Sequence, residues 1–337
     1  MRVTIEELRS EIYGMLIKKV SDENANFIVE NVVETAMRKG VRLDPVKNCL
    51  KDYKAFDKNK SILVSNKSAS TINYDFQKQP VIPFMKEIID NAVSKAKEMG
   101  IFMVGLSNSL GVHELDSWTV EVAKQNCIGI FTFNGGPYCT VPYGSAEPFF
   151  GTNPFSYGIP TETDPLLFDG ATSEIALFDA RNAVYNNTPL KTNSGLNKEG
   201  KLSTVAKDVF DPENETDCRL LPMGGGAKGS AIMLLLELIT GLVGGKIGRE
   251  ASDVWKPDEF GGALIVIDPS KFGALDLFKA RASKMLNEIR NSKPAHGFNS
   301  AKVPGDDSLE RRKGCFRTNE VEIKDSVFEE IKNLSKK

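Results

Sequence analysis

The chain has 337 residues, 41% of them hydrophobic, with 43 Lys and Arg against 45 Asp and Glu and a formal net charge of −2. That is material for a large core and for two or three domains, and the balanced charge, without a basic stripe, argues against a nucleic-acid binder. Five scattered cysteines with no CxxC pair read as reduced structural thiols, and two histidines, His113 and His296, are too few for a histidine-rich metal site. No apolar run is long enough to span a membrane and Met1–Ser10 lacks a leader pattern, so the expectation is a cytoplasmic protein with no membrane partner.

In chain order, Thr4-Ile-Glu-Glu has the form of a capping box before an amphipathic helix. Ser21 opens a second helix with Ala25, Ile28, Val29, Val32, Val33 and Ala36 at helical spacing, and Gly40 ends it. Lys51–Lys60 reads as a linker and Ile62-Leu-Val as a strand. Pro80 to Gly100 reads as a helix with Pro83 in its first turn, followed by a buried strand from Ile101. A helix over Ser117–Gln125 and a strand from Ile128 to Phe133 come next. Between Asn134 and Pro160 the chain is rich in Gly, Pro and Asn, which predicts a long functional loop. Leu166-Leu-Phe is a short strand ending in Asp169, Thr172–Asn182 turns helical, and Thr192–Asn214 is a polar, exposed excursion. Ala263-Leu-Ile-Val-Ile is a strand, Phe272–Arg290 a helix, and the tail from Glu320 carries a strand and then a helix. Alternating strands and helices predict mixed α/β layers.

The most informative stretch is Gly224-Gly-Gly-Ala-Lys-Gly229, followed at once by a long apolar run. The first amides of a helix lack internal partners and carry positive potential, so a glycine-rich entry with Lys228 has the makings of an anion site. The dinucleotide fingerprint of a Rossmann fold is formally met, but Leu220-Leu-Pro222 is a poor strand and no acid-ended strand follows the helix at the required distance. A P-loop and a Gly-x-Ser-x-Gly nucleophile elbow are both absent.

A third template fits. Gly151-Thr-Asn-Pro154, Phe168-Asp-Gly-Ala-Thr-Ser173, Gly225-Gly-Ala-Lys-Gly229, Ile267-Asp-Pro269 with Phe272-Gly273, and Val303-Pro-Gly-Asp306 occur in that order. In these blocks the chain resembles the malate/L-lactate dehydrogenase family of the non-Rossmann type, over essentially its whole length. The resemblance implies an α/β fold with a mixed-sheet cofactor domain, NAD or NADP as cofactor, a small-molecule substrate and a homodimer. It also implies three regions: N-terminal helices over 1–57, a substrate-side portion of 58–120 with 301–337, and an NAD(P)-binding domain over 121–300.

By the same resemblance, Asn134, Asp169, Gly170, Ala171, Thr172, Ser173, Lys228, Pro304, Gly305 and Asp306 are expected to converge into one cofactor cradle, with Thr152 bordering the substrate. The chemistry departs from the family. Its Gly-Val-x-Ser-His-Gly-Val-x-Arg-like stretch matches Gly40-Val-Arg-Leu-Asp-Pro-Val-Lys-Asn48, which puts Asp44 at the proton-donating histidine and Asn48 at the carboxylate-gripping arginine. A shifted alignment puts Lys39 at the histidine but loses the Gly-Val match. Arg42 and Lys47 offer cations without matching the arginine's position. In the second motif, Ser107-Asn-Ser-Leu-Gly111 has Ser109 where the family has histidine. The orienting aspartate is Asp179 by this reading. A carboxylate stays protonated only when desolvated or crowded by another acid, so one reading has Asp44 sharing a proton with Asp179 and the other has Asp44 capping or ending a turn before Pro45. If the segment is helical, His113 lies on the face of Ser109 and brings an imidazole near the vacated position. The expected activity is an NAD(P)H-dependent reduction of a small 2-oxo acid, hydroxy-acid/keto pair or cyclic imine carboxylate with a non-standard proton donor. The alternative is a nucleotide-binding relative without dehydrogenase activity.

Overall fold

A computed structural model of the chain describes every residue except 135–136, 192, 214–216, 252–259 and 337. The chain begins with β1 (Arg2–Thr4), α1 (Ile5–Leu16), α2 (Asp22–Lys39) and α3 (Pro45–Ala55). The two N-caps read from the sequence hold: Thr4 accepts from the Glu7 amide at 3.1 Å and Ser21 from the Asn24 amide at 3.4 Å. Gly40 ends α2 with φ at +65°, a conformation that glycine adopts without a steric penalty. The expected linker at Lys51–Lys60 is half helix. Asp44 caps α3 with Pro45 in its first turn, and Val46, Cys49 and Leu50 are buried along it.

Next come β2 (Leu63–Lys67), β3 (Thr71–Asp75), α4 (Met85–Met99), β4 (Ile101–Ser107), α5 (Asp116–Lys124), β5 (Ile128–Phe133), β6 (Phe155–Ile159), β7 (Leu166–Gly170) and α6 (Leu177–Tyr185). The helix after Asp169 thus starts five residues later than expected, and the Gly- and Pro-rich loop contains β6. Short strands β8 (Gly195–Leu196) and β9 (Leu202–Ser203) and helix α7 (Ala206–Val209) follow. They correct the expected exposed excursion, whose ends Thr192 and Asn214 lie outside the described residues. Val209, Phe210 and Cys218 are fully buried against Ala180 and Val184 of α6. The chain closes with α8 (Ala227–Leu242), β10 (Gly261–Ile267), α9 (Leu275–Arg290), α10 (Asp306–Thr318), β11 (Glu320–Glu322) and α11 (Asp325–Lys336).

The main sheet runs β2-β3-β4-β10-β5-β6-β7. Only β3–β4 is parallel among its pairings. Alternation along β4 sets its two faces. Phe102, Val104 and Leu106 pack with Ile88, Ile89, Ala92 and Val93 of α4, whereas a Cβ on Gly105 would lie 2.9 Å from the Val243 side chain just after α8. β7 is the sheet's edge, and there the N-terminal helices approach. The C-terminal segment, expected to complete residues 58–120, packs with those helices instead. β11 pairs antiparallel with β1, and Val321, Ile323, Val327, Phe328 and Ile331 share a core with α1, α2 and α3. The strand–helix order of the tail is as expected, and α10 is an element the sequence reading did not mark. No helix among the described residues is long and apolar enough to cross a membrane.

Candidate active site

A cavity of about 1100 Å3 opens between the C-terminal end of α2, the edge strand β7, α9 and the start of α10. Two sequence blocks far apart in the chain meet in its wall: Phe168 and Asp169, and Pro304, Gly305 and Asp306. Gly305 makes this corner possible. Its φ is +90°, and a Cβ would lie 2.8 Å from the Leu167 carbonyl oxygen, so a side chain there would strain the turn and push α10 off β7.

The last turn of α2 delivers Arg38 and Lys39 to the same wall, and α5 delivers Asp116. Arg38 Nη1 lies 2.8 Å from Asp116 Oδ2, Lys39 Nζ lies 3.2 Å from the same oxygen, and Lys39 Nζ lies 3.1 Å from Asp169 Oδ2. The four charges alternate in sign, and their side chains are only 5%, 4%, 11% and 11% exposed in the order Arg38, Asp116, Lys39, Asp169. Burial alone would lower the Lys39 ammonium; the Asp116 and Asp169 charges outweigh it and hold the group above its ordinary value. Burial pushes the Asp169 carboxyl up to about 6 against the pull of Lys39, with the Asp116 charge adding to the rise. Asp116 Oδ1 is buried and has no hydrogen-bond partner among the described residues. A buried oxygen in that state costs free energy, which the two cations beside Asp116 offset.

Beside this chain of charges, Glu114 Oε1 accepts from Asn48 Nδ2 at 3.0 Å. Burial pushes the Glu114 carboxyl up to about 7, opposed by His113 and helped by Asp116 and Asp169. Arg38, Asp116 and Glu114 were not singled out in the sequence. Lys39 comes into view in the sequence only through the shifted alignment, and it lines the cavity.

The other expected residues lie as follows. Asp44 caps α3, accepting from the Lys47 amide at 3.2 Å, and pairs with Lys324 Nζ at 2.9 Å. Asp179 pairs with Arg42. Each carboxylate has its own cation, so the expected proton-sharing pair is not formed, and Asp44 does the work of a cap. The segment from Ser109 to His113 is not helical: φ is +112° at Gly111 and +55° at His113. His113 Nε2 instead lies 2.8 Å from Asp52 Oδ1, and the Asp52 charge, outweighing burial, holds the imidazolium above its usual value. Ser109 is buried, its hydroxyl accepting from the Gly111 amide at 3.4 Å.

The residues expected to hold the cofactor divide into two groups. Asp169, Pro304, Gly305 and Asp306 line the cavity. Three residues beyond Asp169, past Gly170 and Ala171, Thr172 turns inward: its amide donates to the Thr152 carbonyl at 2.9 Å and its hydroxyl to the Asn153 carbonyl at 2.8 Å. The Ser173 hydroxyl donates to the Ile175 carbonyl at 2.7 Å. Asn134 is buried and donates to the Lys246 carbonyl at 2.6 Å. Lys228 is exposed in the first turn of α8, and the Gly224 amide is taken by Glu174 Oε2 at 2.6 Å. Within one chain, then, the glycine-rich loop does not line the cavity and already holds a carboxylate of the protein itself. No group of three or more potential ligands among the described residues is placed to hold a metal ion.

The seven-stranded sheet, antiparallel in all but one pairing and flanked by helices, with a cavity against its edge strand β7, defines a mixed-sheet α/β protein and not the doubly wound parallel sheet of a Rossmann domain. The sequence profile of the malate/L-lactate dehydrogenase family matches residues 3–332, and the chain belongs to that family. It is 27% identical over 252 residues to L-sulfolactate dehydrogenase of Methanocaldococcus jannaschii, covering 74% of this chain and 70% of that one. The solved structure of sulfolactate dehydrogenase from that organism superposes with a TM-score of 0.83 at 22% identity, covering 100% of this chain and 97% of the other. Ureidoglycolate dehydrogenase (NAD(+)) of Escherichia coli K12 is 29% identical over 248 residues, 72% of this chain and 68% of that one. The Δ1-pyrroline-2-carboxylate/Δ1-piperideine-2-carboxylate reductase of Pseudomonas syringae pv. tomato is 30% identical over 238 residues, 68% of this chain and 63% of that one.

Proposed function

We propose that the protein is an NAD(P)H-dependent oxidoreductase that reduces a small 2-oxo acid or cyclic imine carboxylate, or oxidises the matching hydroxy acid, with a proton donor other than imidazole. The observation that carries this reading is the convergence of Asp169 and the Pro304–Asp306 corner on one cavity of about 1100 Å3, large enough for a dinucleotide with a small substrate beside it. Pro304, Gly305, Asp306 and Asp169 are the residues that would hold the cofactor. When bound, its nicotinamide supplies the hydride. The chain's own residues supply the charge pattern: Lys39 presents an ammonium, and Asp116 and Asp169 balance it. A net-neutral cluster admits either a carboxylate-bearing oxo acid or an iminium, whose cation the two carboxylates favour.

A homodimer accompanies this reading. Ile232, Leu234, Leu235, Leu238 and Leu242 on α8 are 40%, 48%, 58%, 51% and 78% exposed, an apolar stripe of the kind that marks an interaction surface. It follows directly on the Gly224–Lys228 loop, so a second copy seated there would reach the cofactor residues that the cavity lacks. Sedimentation velocity of the wild type and of Leu235→Asp tests this. A dimer that dissociates in the variant is expected, and a wild-type monomer refutes it.

Titration with NADH and NADPH, followed by fluorescence quenching or blue shift, tests the cofactor. No response to either overturns the reading. A substrate panel of oxaloacetate, sulfopyruvate and Δ1-piperideine-2-carboxylate, followed at 340 nm absorbance on the order of minutes, then separates an enzyme from a nucleotide binder that has lost hydride transfer.

A further inference from the structure

We propose that Lys39 is the catalytic proton donor, its ammonium held in the cavity wall between Asp116 and Asp169; the proposal rests on the oxidoreductase reading above. When a carbonyl carbon gains a hydride, the C=O π pair moves onto oxygen, and the barrier falls if a proton arrives in the same step. The wall offers few groups that can deliver one. Arg38 does not release its proton. Asp116 is clamped between Arg38 and Lys39. Lys124, Lys302 and Lys313 are 46%, 57% and 49% exposed, each paired with an acid near it in sequence, so water levels their effect. Lys39 is 11% exposed and has two carboxylates to orient it.

An ammonium has three N–H groups. One is donated to Asp169 Oδ2, Asp116 Oδ2 stands 3.2 Å away as an ion pair, and a further N–H has no acceptor among the described residues. It is the one that would meet the substrate oxygen or nitrogen. The step balances without another reagent: substrate gains a hydride from the reduced nicotinamide and a proton from Lys39 Nζ, and the C=O or C=N bond is reduced by two electrons. The neutral amine then regains its proton from water through Asp169, which faces it at 3.1 Å. The charged groups that act on Lys39 and set its pH response are Arg38 of its own helix, Asp116 of α5 and Asp169 of β7.

Lys39→Met removes the proton and keeps the stem; Lys39→Arg keeps the charge and the ion pairs but holds its proton. Both are compared with wild type in three measurements: NADH binding by fluorescence, capture of the carbonyl analogue oxamate by the NADH-bound protein, and kcat against pH with the panel member the wild type accepts. The expected result is NADH affinity within about threefold of wild type in both variants, oxamate capture lost in Lys39→Met, and kcat lower by about 10²–10⁴-fold in both. Turnover in Lys39→Met within about threefold of wild type, or Lys39→Arg restoring turnover with the wild-type pH profile, overturns the proposal and leaves the oxidoreductase reading standing. If Lys39→Met does not fold, Lys39→Arg decides alone. If no panel member turns over, equal oxamate capture by wild type and Lys39→Met overturns it. If the wild type binds neither NADH nor NADPH, the oxidoreductase reading itself is at fault.

Discussion

The backbone carbonyl of Arg38 accepts a hydrogen bond from Arg311 Nε at 2.8 Å. The last turn of α2, which carries Lys39, is thereby tied to α10, the helix that opens at Gly305. Arg311→Met cuts this tie without touching the cavity-facing charges. Loss of one charge-assisted hydrogen bond is expected to lower unfolding stability by about 1.5–3 kcal/mol, read from urea denaturation. It should also lower turnover by loosening the residue before Lys39. An unchanged urea midpoint would show that the tie contributes nothing.

Asp116 is the partner of both cations in the wall. Asp116→Ala leaves the Arg38 guanidinium, 5% exposed, without its counter-ion. Removing one side of a buried ion pair costs about 3–5 kcal/mol. Chemical denaturation of the variant should show a loss of that size, whereas Asp325→Ala, at an exposed pair with the N-terminal ammonium, should show almost none.

Gly305→Ala tests the corner where α10 meets β7. The positive φ and the Leu167 carbonyl both oppose a side chain there. Destabilisation of about 1–3 kcal/mol is expected together with weaker NADH binding, because the turn that has to yield is a wall of the cavity. Calorimetric unfolding and fluorescence titration measure the two effects on one sample.

The pH dependence of stability carries a signature of Glu114. Its carboxyl rises from 4.5 unfolded to about 7 folded, chiefly through burial. Between those values the native state binds the proton more tightly than the unfolded chain. Stability from this group is therefore fully present below pH 4.5 and is lost as pH rises through about 7. Asp169, raised from 3.8 to about 6, acts in the same direction over a lower window. Glu114→Gln should flatten the upper part of the decline in thermal midpoint and leave the Asp169 part in place. A wild-type midpoint that climbs steadily across this range contradicts both assignments.

Much of the fold was legible in the sequence because its signals are local. Thr4 and Ser21 cap their helices as their spacing predicts, and Gly40 and Gly100 end α2 and α4 at positive φ. What escaped depended on distant partners. Strand β6 lies in a stretch dominated by Gly, Pro and Asn, and only pairing with β5 and β7 makes it a strand. Helix α3 was hidden by the lysines on its outer face, although Val46, Cys49 and Leu50 carried the buried spacing. At the site, five ordered blocks identified the family, but the family's Gly-Val anchor drew attention to Asp44, which the fold uses as a cap. Arg38, Lys39, Asp116 and Asp169 come from three separate elements and acquire chemical meaning only when the fold brings each within 3.2 Å of an opposite charge.

The pairing of β1 with β11 sets the order in which the molecule is completed. Residues 2–4 leave the ribosome long before the strand they need, residues 320–322. The helices α1 to α3 therefore wait until β11 and α11 have been made before their apolar faces are fully covered. During synthesis they are natural clients for a chaperone, and ribosome stalling shortly before residue 320 should leave them open to protease while the central sheet is already resistant.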